Sequence, residues 1–417
     1  MVFWGRKSSG YWGTGKGRYN PGIERPKISP VPAPPLGNIL ATIQHDDFDD
    51  SRDEDLSSTR ITEAKYLASY NWLNEGHRII VPGEPPKWTP LSEPTELRQD
   101  SGEYYRDLNT ARHPSYPLEP MVQAIILEKP DFSLRDVDII ACGATMNNLL
   151  RFARHQDAPF RMLVEVVGDT VFFVRRLNSP TEKIPEVWGY GHTFPDAYTT
   201  WSQESQGSQS HQRIMSYKLA GMSCLVRYEA DGFLPDLVPK DLVSQEDDAH
   251  EDSNSVEDLQ SAMQGATISS MAPTTTGAES SNIEILKKGH HIPQCGIFDL
   301  KTRSIKKRDV DILEAEIPRL WVRQVPNFIV AYHLRGTFND IQVQDVTKDL
   351  KDWEDSQQPA LMRFANLLHM IVAFARSAVD GKIEIEHEEG GDVLNLREQV
   401  EIVNKVLPPA LMGKWED

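Results

Sequence analysis

The chain has 417 residues, of which 62 are acidic and 44 basic, and its formal net charge is −18. That charge excludes a uniformly basic nucleic-acid-binding protein, and no apolar run reaches the roughly 18 residues needed for a membrane-spanning helix. The cysteines Cys142, Cys224 and Cys295 are too far apart for a zinc pattern, so we expect free thiols in a core and a reducing compartment.

Composition divides the chain into folded and disordered parts. Residues 1–35 are rich in Gly, Arg, Lys and Pro with interleaved aromatics, which predicts a disordered basic tail. Such a tail either contacts single-stranded nucleic acid or only aids solubility. Residues 242–283 are acidic and then Ser/Thr-rich, which predicts a disordered insertion. We therefore expect a single domain over 36–380 and a C-terminal extension over 381–417.

The segment Asp46-Asp-Phe-Asp-Asp50 has the DDxxD spacing of a polyprenyl synthase. That motif binds Mg²⁺-diphosphate when it lies on a helix of an all-α bundle and faces a second such motif. Here it lies in a polar run, and we interpret it as a solvated loop. A prenyl diphosphate synthase remains a remote alternative.

The remaining elements follow from the spacing of apolar residues. In chain order the pattern predicts a helix over Leu118–Glu128, a helix over Ala144–His155, a hairpin of Arg161–Val167 with Thr170–Arg176, a short helix near Asp196, a helix over Glu316–Gln324, strands over Phe328–Tyr332 and Ile341–Val346, and one long helix over Asp352–Val379. This mixture predicts an α/β (α+β) fold with a central mixed β-sheet flanked by helices.

Two further predicted strands carry charged residues, Cys224–Gly232 and Gly296–Thr302. Residues two apart in a strand point to the same face. If the strands are neighbours, three carboxylates and one ammonium converge: Glu229, Asp231, Asp299 and Lys301. Carboxylates bind Mg²⁺ or Mn²⁺, and such an ion with a lysine can activate water against a phosphodiester, as in a PD-(D/E)XK nuclease core. The alternative is that these charges are solvated at strand edges.

The order of these motifs resembles the DXO family of RNA decapping and 5′-end quality-control nucleases. The resemblance covers roughly Asp138–Asp345: the hairpin, the Gly189–Asp196 loop, the Glu-x-Asp and Asp-Leu-Lys strands, and the Trp321-Val-Arg-Gln324 helix. The chain is also similar to a fungal group of proteins that carry a geranylgeranyl pyrophosphate synthetase name.

The resemblance implies a metal-dependent hydrolase of RNA 5′ ends, acting by decapping, pyrophosphohydrolysis or 5′–3′ exonucleolytic trimming. It implies a nuclear or cytoplasmic protein, a 5′–3′ exoribonuclease as a possible partner, and no membrane association. The implied catalytic residues are Glu229, Asp231, Asp299, Lys301 and Gln324. The implied ligands of Mg²⁺ or Mn²⁺ are Asp196, Glu229, Asp231, Asp299 and the carbonyl of Leu300.

RNA contacts are expected from basic residues near these motifs. Arg303 and Lys306 follow the second strand, where a nucleic-acid backbone needs positive charge. The family places a phosphate-binding arginine where this chain has Gly143. Either Arg151 or Arg154 supplies that charge from the following helix, or catalysis is impaired and the protein binds RNA or a partner exonuclease.

Overall fold

The computed structural model describes residues 31–49, 59–185, 187–239, 283–400 and 405–415. The basic tail up to residue 30 and nearly all of the acidic insertion lie outside the described residues. The strands are β1 Ile39–Gln44, β2 Ile61–Leu73, β3 Arg78–Pro82, β4 Lys87–Trp88, β5 Ile139–Cys142, β6 Phe160–Val167, β7 Thr170–Arg175, β8 Thr199–Thr200, β9 Ser208–Leu219, β10 Met222–Ala230, β11 Gly232–Phe233, β12 Glu284–Lys288, β13 Ile297–Ser304, β14 Asn327–Leu334, β15 Thr337–Asp345, β16 Lys382–His387 and β17 Val393–Arg397.

The α-helices connect and cover these strands. They are α1 His45–Asp49, α2 Leu108–Arg112, α3 Glu119–Glu128, α4 Gly143–Ala153, α5 Thr193–Tyr198, α6 Ile312–Arg323, α7 Thr347–Ser356, α8 Gln358–Ser377 and α9 Pro409–Met412. Among the described residues, no helix combines the length and apolarity required to cross a membrane.

The strands form two sheets. The large sheet has eleven strands in the order β1-β17-β16-β6-β7-β5-β10-β9-β2-β3-β12, and the small sheet has six in the order β15-β14-β13-β11-β4-β8. Both are mixed: β10 is parallel to β5 and antiparallel to β9, and β13 is parallel to β14. The predicted α+β fold is confirmed, and the all-α bundle of a prenyl synthase is excluded.

Three apolar cores hold the layers together. Alternation along β10 sends Cys224 and Val226 into the main core with residues of α4, α6 and α8, while Leu225 points to the opposite face. That opposite face of the large sheet packs against α3. The outer face of the small sheet packs against α5 through Phe194 and Tyr198. The main core therefore lies between the sheets and their helices.

Two helix predictions need correction. The single helix over Asp352–Val379 is two helices, because Pro359 lacks an N–H and fits only the first turn of a new helix, α8. The helix expected from Glu316 begins at Ile312, because the Asp311 side chain caps it by accepting from the Glu314 N–H at 3.0 Å.

The segment after residue 380 belongs to the domain and is not an extension of it. β16 lies inside the large sheet, between β6 and β17. Near the end of the chain, the Trp415 indole donates to the Thr170 hydroxyl at 2.8 Å and packs against Phe172. The sequence of this region predicted no particular elements, yet it forms two strands that are largely buried.

Two smaller expectations also differ from the structure. Asp46, Asp47 and Asp49 lie in the short helix α1, whose Phe48 is buried, and not in a loop; Asp50 lies outside the described residues. All three cysteines are free, as expected, but only Cys142 and Cys224 are buried, and Cys295 is exposed.

Candidate functional site at the junction of the two sheets

One continuous stretch of chain passes from the large sheet into the small one. β10 ends at Ala230, β11 begins at Gly232, and Asp231 lies between them. Gly232 has no room for a side chain, since a Cβ there would lie 2.5 Å from the Phe298 ring and 2.7 Å from the Pro86 carbonyl oxygen. Gly232 pairs with Phe298 in antiparallel register, which brings Asp231 beside the next residues of β13.

Asp231 completes the hydrogen bonding of β13. The register that joins Gly232 to Phe298 would place Ala230 opposite Leu300, but Ala230 instead pairs with His211 in the large sheet. The Asp231 Oδ2 accepts the Leu300 N–H at 2.6 Å in its place. Burial and the neighbouring charge of Asp299 raise the pKa of Asp231 to about 7.

Asp299 is held by two arginines of α6, the helix that connects β13 to its parallel neighbour β14. Arg319 donates to both carboxylate oxygens at 2.6 Å, and Arg323 donates to Oδ2 at 3.0 Å. Burial alone would raise the pKa of Asp299, but these arginines and Lys301 lower it. Asp299 is therefore an ionised, 3% exposed carboxylate whose two oxygens both have partners.

We call Asp231, Asp299, Lys301, Arg319 and Arg323 the junction site. Glu316 lies at its edge, 2.8 Å from Arg319, 3.4 Å from Arg303 and 4.0 Å from Lys301. Burial and the charge of Arg319 lower the pKa of Lys301. The cationic side chains stay partly accessible, with exposed fractions of 19% for Lys301, 18% for Arg319 and 17% for Arg323.

The other predicted metal and catalytic residues lie around or away from the junction site. Glu229 is exposed at the end of β10, where the Gln212 amide donates to it at 3.4 Å, and partial desolvation raises its pKa. Asp196 lies in α5, where burial and the charge of Asp100 raise its pKa and His192 acts in the opposite direction.

Gln324 ends α6 and is not part of the junction site. It adopts a left-handed conformation with φ of 54°, and its side-chain amide donates to the Trp321 carbonyl oxygen at 2.7 Å. Its own carbonyl oxygen accepts from Gln294 at 2.9 Å. Gln324 therefore stabilises the end of the helix.

Arg154 lies away from the junction site, and Arg151 lies in the last turn of the same helix, α4. α4 and α6 pack antiparallel: Gly143 at the start of α4 meets Arg323 at the end of α6. Arg154 lies at the other end, 5.4 Å from the Trp353 ring centroid, where the charge of Glu314 acts on it. Eleven helical residues span about 16 Å, so this end is remote from Asp299. Lys306 is exposed beyond β13.

Sequence reasoning missed the arginines that dominate the site, Arg319 and Arg323. Glu316, Arg319 and Arg323 are spaced by three and four residues, which places them on one face of a helix. That spacing, in the helix directly following the Asp299 strand, was the available signal.

The carboxylates do not fit a Mg²⁺ or Mn²⁺ ion in this arrangement. Both oxygens of Asp299 are occupied by guanidinium groups, and one oxygen of Asp231 accepts a backbone N–H. Within the described part of the chain, the group with metal-ligand spacing is another set, Glu84, Glu204 and His290, whose candidate ligand atoms lie within 4.8 Å of one another. None of the predicted ligands belongs to that set.

The fold is similar to that of Rai1 structures, which confirms the resemblance to the DXO family at the level of the fold. Rai1 of Scheffersomyces stipitis, in complex with (3′-NADP)⁺ and calcium, matches with a TM-score of 0.55 and 10% identity over 89% of this chain and 94% of that one. Rai1 of Candida albicans, in complex with pU5-Mn²⁺, matches with a TM-score of 0.54 and 11% identity over 86% of this chain and 96% of that one. A mutant S. pombe Rai1, in complex with 3′-FADP, matches with a TM-score of 0.53 and 10% identity over 87% of this chain and 100% of that one.

The chain belongs to the family described as a domain of unknown function (DUF8563), whose model matches residues 41–411. No curated protein sequence matches it. At these identities, the likeness to the Rai1 structures shows the fold alone.

Proposed function

We infer that this protein acts on RNA 5′ ends and that the junction site recognises the terminal phosphate. The observation that carries this proposal is the charge of the site. Four cationic side chains face three carboxylates here. The cations are Lys301, Arg303, Arg319 and Arg323, and the carboxylates are Asp231, Asp299 and Glu316. Of the carboxylates, Asp231 has a pKa of about 7. The net charge of this group is therefore positive and its cations are partly exposed, which suits an anionic ligand.

Arg323 is the residue best placed to contact a phosphate. Its Nη1 donates to Asp299, but its buried Nε has no acceptor among the described residues. That Nε lies at the start of α4, whose first N–H groups receive no side-chain cap from Cys142. A buried donor and a helix N-terminus both favour a bound anion. A 5′ phosphate would satisfy both.

Metal-dependent hydrolysis is the second candidate. Its support is that Asp231, Asp299 and Lys301, three of the residues predicted for the chemistry, meet at the junction site. It requires Arg319 to leave Asp299. An exoribonuclease partner and a nuclear or cytoplasmic location stay predictions.

The test is binding of matched RNAs that carry a 5′ monophosphate, triphosphate, cap or hydroxyl, measured by fluorescence anisotropy in EDTA and again in Mn²⁺. In EDTA, the monophosphate RNA should bind at least about tenfold more tightly than the hydroxyl RNA, as expected for charge-assisted bonds. Arg323→Gln should remove that difference. Arg308→Gln is the matched control, because Arg308 is exposed and pairs with Asp340.

Equal affinity of the wild type for all four RNAs would contradict the proposal. The same samples, resolved by gel after incubation in Mn²⁺, test the second candidate. Shortened or decapped RNA that appears only with the ion would favour hydrolysis.

A further inference from the structure

The strongest unexplained feature is the pair formed by Arg319 and Asp299. A guanidinium that contacts both oxygens of a carboxylate is the strongest ion-pair geometry available to these side chains. Arg319 also lies 2.8 Å from Glu316. A single half-buried cation therefore links carboxylates on β13 and α6.

This cation answers an electrostatic need of the junction site. Asp231 and Asp299 lie close enough that the charge of Asp299 contributes to raising the pKa of Asp231. A positive charge nearby stabilises the ionised form of two such carboxylates. In a metal-binding site a divalent ion supplies it. Here Arg319 supplies it from the chain itself.

We propose that the Arg319 guanidinium takes the place of a divalent cation and excludes one from the junction site. Arg319, and not Arg323, is the determining residue, because only Arg319 contacts both oxygens of Asp299. Without it, Asp299 Oδ1 has no arginine partner. The inference concerns the cation of the site and goes beyond the proposed binding of RNA.

The test is Mn²⁺ binding, measured by calorimetry and by electron paramagnetic resonance of the free ion, without RNA. All proteins carry Glu204→Gln, because Glu84, Glu204 and His290 have metal-ligand spacing of their own. Glu204 is exposed, so this background should fold. The compared proteins are this parent, Arg319→Gln, Arg319→Gln with Asp299→Asn, and Arg308→Gln as the charge-matched control.

At millimolar Mn²⁺, neither the parent nor Arg308→Gln should show binding of the ion through Asp299. Arg319→Gln should bind one ion at least about tenfold more tightly, because a paired guanidinium no longer competes for the carboxylate. Adding Asp299→Asn should remove the gain. Failure of Arg319→Gln to gain binding while folded, shown by circular dichroism, would overturn the proposal.

The parent provides a second test, in which it is compared with Asp299→Asn in the same background, with folding of both checked by circular dichroism. Mn²⁺ binding by the parent that is lost in Asp299→Asn would also overturn the inference. RNA affinity in EDTA is recorded separately. If the parent does not discriminate between RNAs with and without a 5′ phosphate, the proposed function is refuted and this inference still stands. The Mn²⁺ result bears only on this inference.

Discussion

Asp231 combines a backbone role with an electrostatic cost. Its carboxylate replaces the strand partner that Leu300 lacks, and it lies beside the ionised Asp299. An asparagine can still accept the Leu300 N–H through its amide oxygen, but it carries no charge. The two roles can therefore be separated by substitution.

Asp231→Asn should stabilise the protein at pH 8 and have little effect at pH 4. The pKa of Asp231 is raised from 3.8 to about 7, so the folded state resists its ionisation. The resulting penalty is nearly absent at pH 4, grows as the pH rises, and is complete above pH 7, with an upper limit of about 4 kcal/mol. Urea unfolding at both pH values measures it.

Two control variants accompany that measurement. Asp231→Ala should be less stable than Asp231→Asn at both pH values, since it leaves the Leu300 N–H without an acceptor. Asp136→Asn, at an exposed position, should show no pH-dependent gain. Equal gains at pH 4 and pH 8 for Asp231→Asn would contradict the assigned pKa.

At the scale of elements, Asp299 fastens α6 onto β13. The strand contributes one carboxylate, and the helix contributes two arginines that are each less than a fifth exposed. Breaking such a pair from one side leaves buried charge without a partner. The ion pair therefore matters more to stability than an exposed one of the same length would.

Asp299→Asn should destabilise the protein by about 3 kcal/mol at neutral pH, because Arg319 and Arg323 lose their counter-charge. Thermal and urea unfolding give the value. Asp340→Asn, which removes the partner of the exposed Arg308, is the matched control and should cost less than about 1 kcal/mol. An unchanged or raised melting temperature for Asp299→Asn would show that the pair adds no stability.

Local patterns predicted the elements that have local causes. The β6–β7 hairpin, α3 and α4 follow from apolar spacing and from the Gly168-Asp169 turn, and they lie where expected. The strand that leads to Asp231 and the strand of Asp299 were also found, because apolar and charged residues alternate in them. Their adjacency in the structure supports reading the two motifs together.

The rest of the candidate site depended on tertiary contacts. Arg319 reads as an ordinary helix residue until β13 places Asp299 opposite it. Gln324 was expected in the site because the family resemblance implied it, but the chain turns left-handed there. β16 and β17 pair locally with each other, but their other partners lie more than two hundred residues away in β6 and more than three hundred away in β1, and no local pattern shows those pairings.

At the scale of the whole molecule, the end of the chain completes the large sheet. β16 pairs with β6 on one side and with β17 on the other, and β17 in turn pairs with β1. Ile383, Ile385, Leu394 and Leu396 all face the main core and are almost fully buried. The first strand of the domain, β1, is thus held in the large sheet by the last strand, β17.

Truncation after residue 380 should prevent folding, because it removes an interior strand and opens the main core to water. Circular dichroism and gel filtration of the truncated protein should show loss of the native melting transition. Removal of residues 1–30 is the comparison, and its composition predicts an unchanged transition. A truncated protein that melts like the full chain would contradict this role.

Asp231 connects the two sheets directly, with no linker between them. The seventeen strands of the described residues form two sheets, and strands of the small sheet alternate along the chain with strands of the large one. At the passage from β10 to β11 the link is a single residue, Asp231, whose side chain accepts a backbone N–H of the small sheet. α6 packs against β10 of the large sheet and holds β13 of the small one through Asp299. The main core also contains residues of both sheets, such as Val226 of β10 and Phe328 of β14, so we expect the two sheets to fold as one unit.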